Sequence, residues 1–454
     1  MGESGAGVAA PSVMEAVLGR QESRESAART YARSLPIVPV SARGTKVTGA
    51  DGRTYLDCLC GAGTLALGHN HPVVIEAIRG ALERGIPLHT LDLGTPEKDD
   101  FTGALLDRLP EPLRSEGRVH FCGPTGADAV EASLKLCLQG GGRTFLAFTG
   151  AYHGMTLGAL AVSSPVAVKG PLAASSAEVV RLPYPYSYHC PFGLGGDACG
   201  RASAAHVERL LDDPLGGVAS PAAMIVEAVQ GEGGVIDAPD SWLREMRRVT
   251  SERGIPLIVD EVQTGAGRTG AMWAIEHSGI VPDVLVLSKA IGGGLPLAVI
   301  VYRPGLDRWA AGAHTGTFRG NQLAFVAGAA TLRHIAAEGL AERADRLGGR
   351  LRRDLESLAA GHPCIAEVRG RGLMLGLELV RADAAPDPIG SRPADPGLAV
   401  RVREECLRRG LMLELGGRHD AVVRLLPPLT ISDAEADSVV ERLAGAVTAA
   451  EAGR

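Results

Sequence analysis

The chain has 454 residues, 45% of them hydrophobic and 60 of them glycine, enough to bury a large core and to fill two domains. A net charge of −6 with no basic patch argues against nucleic acid or an anionic membrane as partner and favours small soluble ligands. No apolar run spans a bilayer, the first residues lack the order of a signal peptide, and the eight cysteines form no Cys-x-x-Cys pair, so a cytoplasmic protein without zinc or a disulfide framework is expected.

Residues 1–34 are rich in Gly, Ala, Ser, Glu and Arg and read as an arm with weak helical character over 13–28. Over 38–59 the pattern predicts two alternating strands around Asp51-Gly52, a hairpin signal. His69 and His71 have the look of a metal pair, but no further ligand is close in sequence, and a polar turn before a helix over 72–85 is the plainer reading. A second helix is predicted over 97–109. A short strand over 119–122 then runs into Gly123-Pro124-Thr125-Gly126-Ala127-Asp128. A glycine-containing turn that opens a helix offers free backbone N–H groups to an anion, so Gly126 and Ala127 are the candidate phosphate cradle. Many such turns are only connections, and this one gains weight from its position ahead of the strands that carry an aspartate and a lysine.

The strand over 145–148 leads to Tyr152-His153-Gly154-Met155, where Tyr152 is placed to stack on a flat ring. Residues 183–200 form an irregular excursion whose Cys190 and Cys199 lack the second ligand pair of a metal site, and a helix comes next over 204–211. A buried strand over 222–227 closes on Glu227, a candidate cofactor residue, just before Gln230-Gly231-Glu232-Gly233-Gly234. After an amphipathic helix over 242–253 come the two stretches that organise the chain. Leu257-Ile258-Val259 delivers Asp260 and Gln263, and Val284-Leu285-Val286-Leu287 delivers Ser288-Lys289 and a glycine-rich turn. In an open α/β sheet ligands sit outside the carboxyl ends of the strands. A lysine closing a buried strand is costly unless paired or covalently used, which favours a Schiff-base lysine with pyridoxal phosphate and Asp260 on the ring nitrogen. Taken locally, a salt-bridged lysine and a turn aspartate fit equally well.

Beyond Lys289 the pattern gives a strand over 297–302, helices over 323–337 and 340–359, and strands over 365–379 broken by a glycine-rich turn. A surface loop (381–397), a helix (398–409), short strands near 411–414 and 422–428 and a closing helix (433–450) complete the chain. Strands and helices alternate in the middle. The expectation is a large doubly wound, mainly parallel α/β domain over 71–322 and a small α+β domain built from both termini, 1–70 and 323–454.

Gly126-Ala127, Tyr152-His153-Gly154, Glu227 through Gly234, Asp260-Glu261-Val262-Gln263-Thr264-Gly265, Ser288-Lys289, Thr317 and Arg424 occur in an order and spacing that resemble the class III aminotransferases. The similarity runs from about residue 36 to 432, and the spacing from the Asp-Glu-Val-Gln stretch to Ser288-Lys289 is its most specific part. It implies a fold-type I, pyridoxal 5'-phosphate-dependent homodimer with its active site shared between subunits. It implies roles too: Lys289 as the Schiff-base lysine, Asp260 on the pyridinium nitrogen, Gln263 on the ring hydroxyl, Gly126 and Ala127 on the phosphate, and Tyr152 on the ring. Thr317 would reach the phosphate of the other subunit. Glu232 and Arg424 are implied as a gate, the glutamate neutralising the arginine until a substrate carboxylate displaces it.

Within the family, the stretches from Cys60 to His69, Gly123 to Ala132 and Leu413 to His419 resemble members that exchange an amino group between 2,4-diaminobutyrate and 2-oxoglutarate. The implied substrates are small amino and oxo acids, with L-aspartate 4-semialdehyde and L-glutamate on the other side. One departure stands out: Met155 occupies the place where ornithine- and 4-aminobutyrate-type relatives carry an arginine for the far carboxylate. Arg319 is the candidate replacement. Three alternatives stay open: another ω-aminotransferase, acting on 4-aminobutyrate, ornithine or acetylornithine; a pyridoxal-phosphate aminomutase or racemase; and a silent scaffold.

Overall fold

A seven-stranded sheet carries the site, and its strands form because short aliphatic runs are buried on both faces. The computed structural model describes residues 12–169 and 178–453; the first eleven residues of the predicted arm lie outside that set. Strand order is Arg118–Phe121, Val299–Tyr302, Val284–Leu287, Leu257–Asp260, Pro221–Val226, Thr144–Phe148 and Glu178–Leu182. Only Val299–Tyr302 runs antiparallel to its neighbours. Successive residues of a strand serve opposite layers. Leu257, Val259, Leu285 and Leu287 pack with Phe101, Trp242 and Phe325, whereas Ile258, Val284 and Val286 pack with Val130, Leu134 and Val162. Helices therefore cover both faces, which is the doubly wound, mainly parallel arrangement expected. Each fully buried aliphatic side chain contributes about 1.5–3 kcal/mol, so the strand ends are fixed on a rigid base.

Both termini build the second unit. Pro39–Arg43, Lys46–Gly49 and Thr54–Asp57 form an antiparallel set that Leu411–Met412 extends by pairing in parallel with Leu56 and Asp57. Ile365–Arg371, Met374–Leu379, Val422–Leu425 and Glu414–Gly416 form a second antiparallel sheet. Leu56, Leu347, Leu377, Leu398 and Leu443 share one core beneath these sheets.

Several elements differ from the sequence pattern. The predicted hairpin has a third strand because Gly44, at φ +56°, makes a second tight turn. The helix expected over 204–211 runs over Gly196–Asp212; its start is small and polar, and Gly200 packs close to Pro239. Glu178–Leu182 is a strand that the pattern does not predict, since its edge position leaves Glu178 and Arg181 exposed and the apolar run is broken. His69 Nε2 donates to Asp57 Oδ2 at 2.7 Å, and His71 occupies the N-cap of the helix Pro72–Glu83. Among the described residues no cluster of three or more metal-ligating side chains occurs, and no helix is long and apolar enough to cross a membrane.

Candidate active site

The carboxyl ends of four adjacent strands open into one cavity of roughly 480 Å³. Thr144–Phe148 leads to Tyr152 and His153, Pro221–Val226 to Glu227 and Glu232, Leu257–Asp260 ends on Asp260 before Val262 and Gln263, and Val284–Leu287 leads to Lys289. Asp260 is buried; its Oδ2 accepts from His153 Nδ1 at 2.7 Å and its Oδ1 from the Val262 amide at 3.0 Å. The His153 amide donates in turn to Ser163 Oγ at 2.8 Å, and its Nε2 is buried without a partner. Burial works to keep this imidazole neutral, but the bond and charge of Asp260 outweigh it and raise the pKa. Glu227 accepts from the amides of Tyr152 (3.0 Å) and Gly231 (3.1 Å); burial, with Asp260 nearby, pushes its pKa up to about 7 although His153 opposes the shift.

Lys289 stands at φ +48°, a left-handed conformation that a residue with a Cβ adopts only under constraint. Its Nζ makes no hydrogen bond to a described residue. Burial lowers the ammonium's pKa and Arg424 adds to this, while Glu232 and Asp260 oppose it. Opposite, Thr125 and Asp128 form a reciprocal cap at the start of the helix Gly126–Leu138 and leave the amides of Gly126 and Ala127 open to the cavity. A Cβ on Gly126 would stand 2.9 Å from Val262 Cγ1, so glycine is what lets this helix end approach the strand end.

Arg424 lies fully buried in the strand Val422–Leu425. Its Nη1 and Nη2 donate to the two carboxylate oxygens of Glu232 at 2.7 and 2.9 Å, and Nη2 also donates to Gln263 Oε1 at 3.1 Å. Gln263 Nε2 donates to Glu232 Oε1 at 3.3 Å, closing a three-membered network. Burial disfavours the Glu232 carboxylate, but the guanidinium overcomes this and holds its pKa at about 2. Glu414, paired in register with Arg424, sits 3.5 Å from Nη1, and burial raises its pKa. Gly416 makes room for this arginine, since a Cβ there would meet Arg424 Cδ at 2.7 Å.

An amine without a hydrogen bond to a described residue, a buried carboxylate with its own imidazole, an open helix N-terminus and a glutamate paired with a buried arginine thus meet at one cavity. Residues 27–447 match the family described as aminotransferase class-III. The chain is a class III aminotransferase. It is 56% identical over 430 residues, 94% of this chain and 92% of the relative, to a protein of Rhizobium meliloti named diaminobutyrate–2-oxoglutarate aminotransferase. A Haemophilus influenzae protein of the same name is 46% identical, over 94% of this chain and 93% of the relative. The crystal structure of an amine transaminase from an uncultivated Pseudomonas species, in its PLP-bound form, superposes with a TM-score of 0.81 at 29% identity, covering 94% of this chain and 97% of that one. The α/β architecture of the aminotransferase is accordingly that of known transaminases.

Of the residues singled out from sequence, the aminotransferase brings Lys289, Asp260, Gln263, Gly126, Ala127, Tyr152, Glu227 and Glu232 to the wall of one cavity, with Arg424 directly behind Glu232 and Gln263. Thr317 and Arg319 do not reach that cavity of their own chain. Thr317 is exposed and its carbonyl accepts from His89 Nε2 at 2.6 Å, while Arg319 is buried with Nη1 donating to the His314 carbonyl. Three site residues have no role assigned from sequence. His153 adjoins Tyr152 in the Tyr-His-Gly motif, and its position before a glycine is the only signal. Glu414 lies at the start of the stretch Leu413 to His419, and Tyr31, which lines the adjoining cavity together with Glu414, lies in the arm and gives no signal.

Proposed function

We propose that this aminotransferase uses pyridoxal 5'-phosphate to interconvert L-2,4-diaminobutyrate plus 2-oxoglutarate with L-aspartate 4-semialdehyde plus L-glutamate, by a ping-pong mechanism. The observation that carries the reading is the unbonded Lys289 amine facing the Glu232–Arg424 pair in one cavity, in a chain whose relatives bear that reaction's name. The cavity suits the cofactor: the open amides of Gly126 and Ala127 fit a phosphate, Asp260 a protonated ring nitrogen, Tyr152 a ring face and Gln263 a ring hydroxyl, and Glu227 fastens the Tyr152 and Gly231 loops around them. When bound, pyridoxal phosphate supplies an electron-withdrawing ring that stabilises charge at the substrate carbon losing its proton.

The chain's own groups do the rest. Lys289, kept towards neutrality by burial and Arg424, takes up that proton and returns it. His153 holds Asp260 in place and orients its carboxylate. With diaminobutyrate bound through its terminal amine, no carboxylate lies near Arg424 and Glu232 keeps it neutral; with glutamate or 2-oxoglutarate, the α-carboxylate takes the guanidinium and Glu232 swings away. A homodimer in which Thr317 serves the other subunit's phosphate is part of the proposal, supported by its exposed position outside its own cavity. So is a cytoplasmic location, supported by thiols such as the buried Cys58, Cys60 and Cys122 that enter no disulfide.

The test is transfer of nitrogen from labelled L-glutamate to L-aspartate 4-semialdehyde, with borohydride reduction and peptide mapping for the cofactor. Labelled diaminobutyrate and a cofactor-derived mass on the Lys289 peptide are expected. A product made without loss of nitrogen from any second substrate would mean a mutase, and turnover of 4-aminobutyrate or ornithine in place of diaminobutyrate would mean a different ω-amine.

A further inference from the structure

A second cavity of about 890 Å³ joins the first through shared walls at Tyr152, Met155, Glu232 and Lys289. It adjoins Lys289 and has room for the far end of an amino acid reacting there. Diaminobutyrate carries a carboxylate there, and so does glutamate once its α-carboxylate has taken Arg424. Met155 has no charge to meet it. The arm and the helix Pro396–Arg408 supply three guanidinium groups to the cavity wall, from Arg29, Arg33 and Arg403.

These three are not equivalent. Arg33 is exposed to solvent. Arg29 has a buried Nε without a hydrogen-bond partner, and its Nη1 lies a loose 3.7 Å from Glu25. Arg403 also has a buried, unpartnered Nε, and it enters no ion pair or hydrogen bond among the described residues. An N–H removed from water with no acceptor is costly, which is why such groups are almost always satisfied. Arg424 and Arg319 share a buried, unpartnered Nε, but Arg424 is already neutralised by Glu232, and Arg319 is engaged through Nη1 by the His314 carbonyl and does not line this cavity. Glu414 on the same wall is turned towards Arg424, which leaves Asp420 as the remaining acid.

We propose that Arg403, assisted by Arg29, receives the substrate carboxylate that lies farther from Lys289, and thereby makes the enzyme prefer carboxylated amines. The assignment rests on the proposed aminotransferase reaction and replaces Arg319 as the partner of that carboxylate.

The test compares L-2,4-diaminobutyrate with 1,3-diaminopropane, the same diamine without its carboxylate, in steady-state kinetics of the holoenzyme and of the Arg403→Gln, Arg403→Lys and Arg319→Gln variants. Where 1,3-diaminopropane is not turned over, its inhibition constant is measured. Arg403→Gln is expected to raise KM for diaminobutyrate roughly ten- to a hundred-fold with little change in kcat, the loss of a charge-assisted hydrogen bond, and to leave 1,3-diaminopropane unaffected. Arg403→Lys should restore part of the affinity, and Arg319→Gln should leave the ratio between the two amines unchanged. An unchanged KM for diaminobutyrate in Arg403→Gln, or an equal loss on both amines, overturns the proposal. If the unmodified enzyme rejects diaminobutyrate but accepts 4-aminobutyrate, the substrate assignment fails by itself; Arg403 is then judged by the same criteria on 4-aminobutyrate against propylamine.

Discussion

Glu227 and Asp260 are two buried carboxyl groups on the wall of one cavity, with different hydrogen-bond partners. Asp260 accepts from an imidazole and an amide, whereas Glu227 is buried against another acid and titrates near 7. A pKa raised above the ordinary 4.5 means that folding takes up a proton, so this contribution to stability is fully present below pH 4.5 and is lost as pH rises through 7. Chemical denaturation of the cofactor-free protein should therefore show unfolding free energy declining between about pH 5 and 8 more steeply in the unmodified protein than in Glu227→Gln. The proposed exchange of Glu232 for a substrate carboxylate at Arg424 makes a second prediction at this scale. Glu232→Ala leaves Arg424 free for an α-carboxylate but uncompensated beside a diamine. The ratio of kcat/KM for diaminobutyrate to that for glutamate should fall by roughly ten-fold or more, an ion-pair effect of about 1.5–3 kcal/mol. A ratio unchanged in Glu232→Ala would show the pair to be merely structural.

At the scale of elements, the helix Gly126–Leu138 meets the Asp260 strand end through a contact that only glycine permits, with Val262 Cγ1 and Cγ2 at 2.9 and 3.0 Å from the missing Cβ. Gly126→Ala should destabilise the protein by about 1–3 kcal/mol, as overpacking does, and Val262→Ala in the same chain should restore much of the loss; thermal unfolding of the single and double variants checks both. This region is legible in sequence because every step is local: an apolar run, a strand-end residue, a glycine turn, a capped helix. The edge strand Glu178–Leu182 is not, since its only requirement is pairing with Thr144–Phe148 and its own side chains are half exposed. The helix Gly196–Asp212 is longer than its sequence pattern because Gly196 and Gly200 resemble a turn until Pro239 is known to pack against Gly200. Lys289 and Asp260 stand out from strand pattern, but the pairing of Glu232 with Arg424 rests on residues 192 apart, and only the family resemblance suggests it. Arg403 has no local signal at all, being one of several arginines on an amphipathic helix until the arm is folded against it.

For the whole molecule, exposed apolar side chains lie in the stretch before the helix Pro96–Leu106, at Leu88, Leu91 and Leu93, and others are Met155, Leu157 and Phe318. In the proposed homodimer the three leucines, close together in sequence, are side chains for a partner subunit to cover. Sedimentation should give a dimer, and dilution below its dissociation constant should abolish activity, which returns on reconcentration. An equally active monomer would refute the shared site. The small unit also depends on distant parts of the chain: Leu411–Met412 completes the sheet begun by Thr54–Asp57, and Arg53 donates to the Arg408 carbonyl 355 residues away. On a ribosome moving at 5–20 residues per second, the early hairpin waits roughly 20–70 s with an open edge before its partner strand emerges. The nascent protein is thus most vulnerable to self-association late in its synthesis, and a slower message or a shortage of chaperone would tax this stage first.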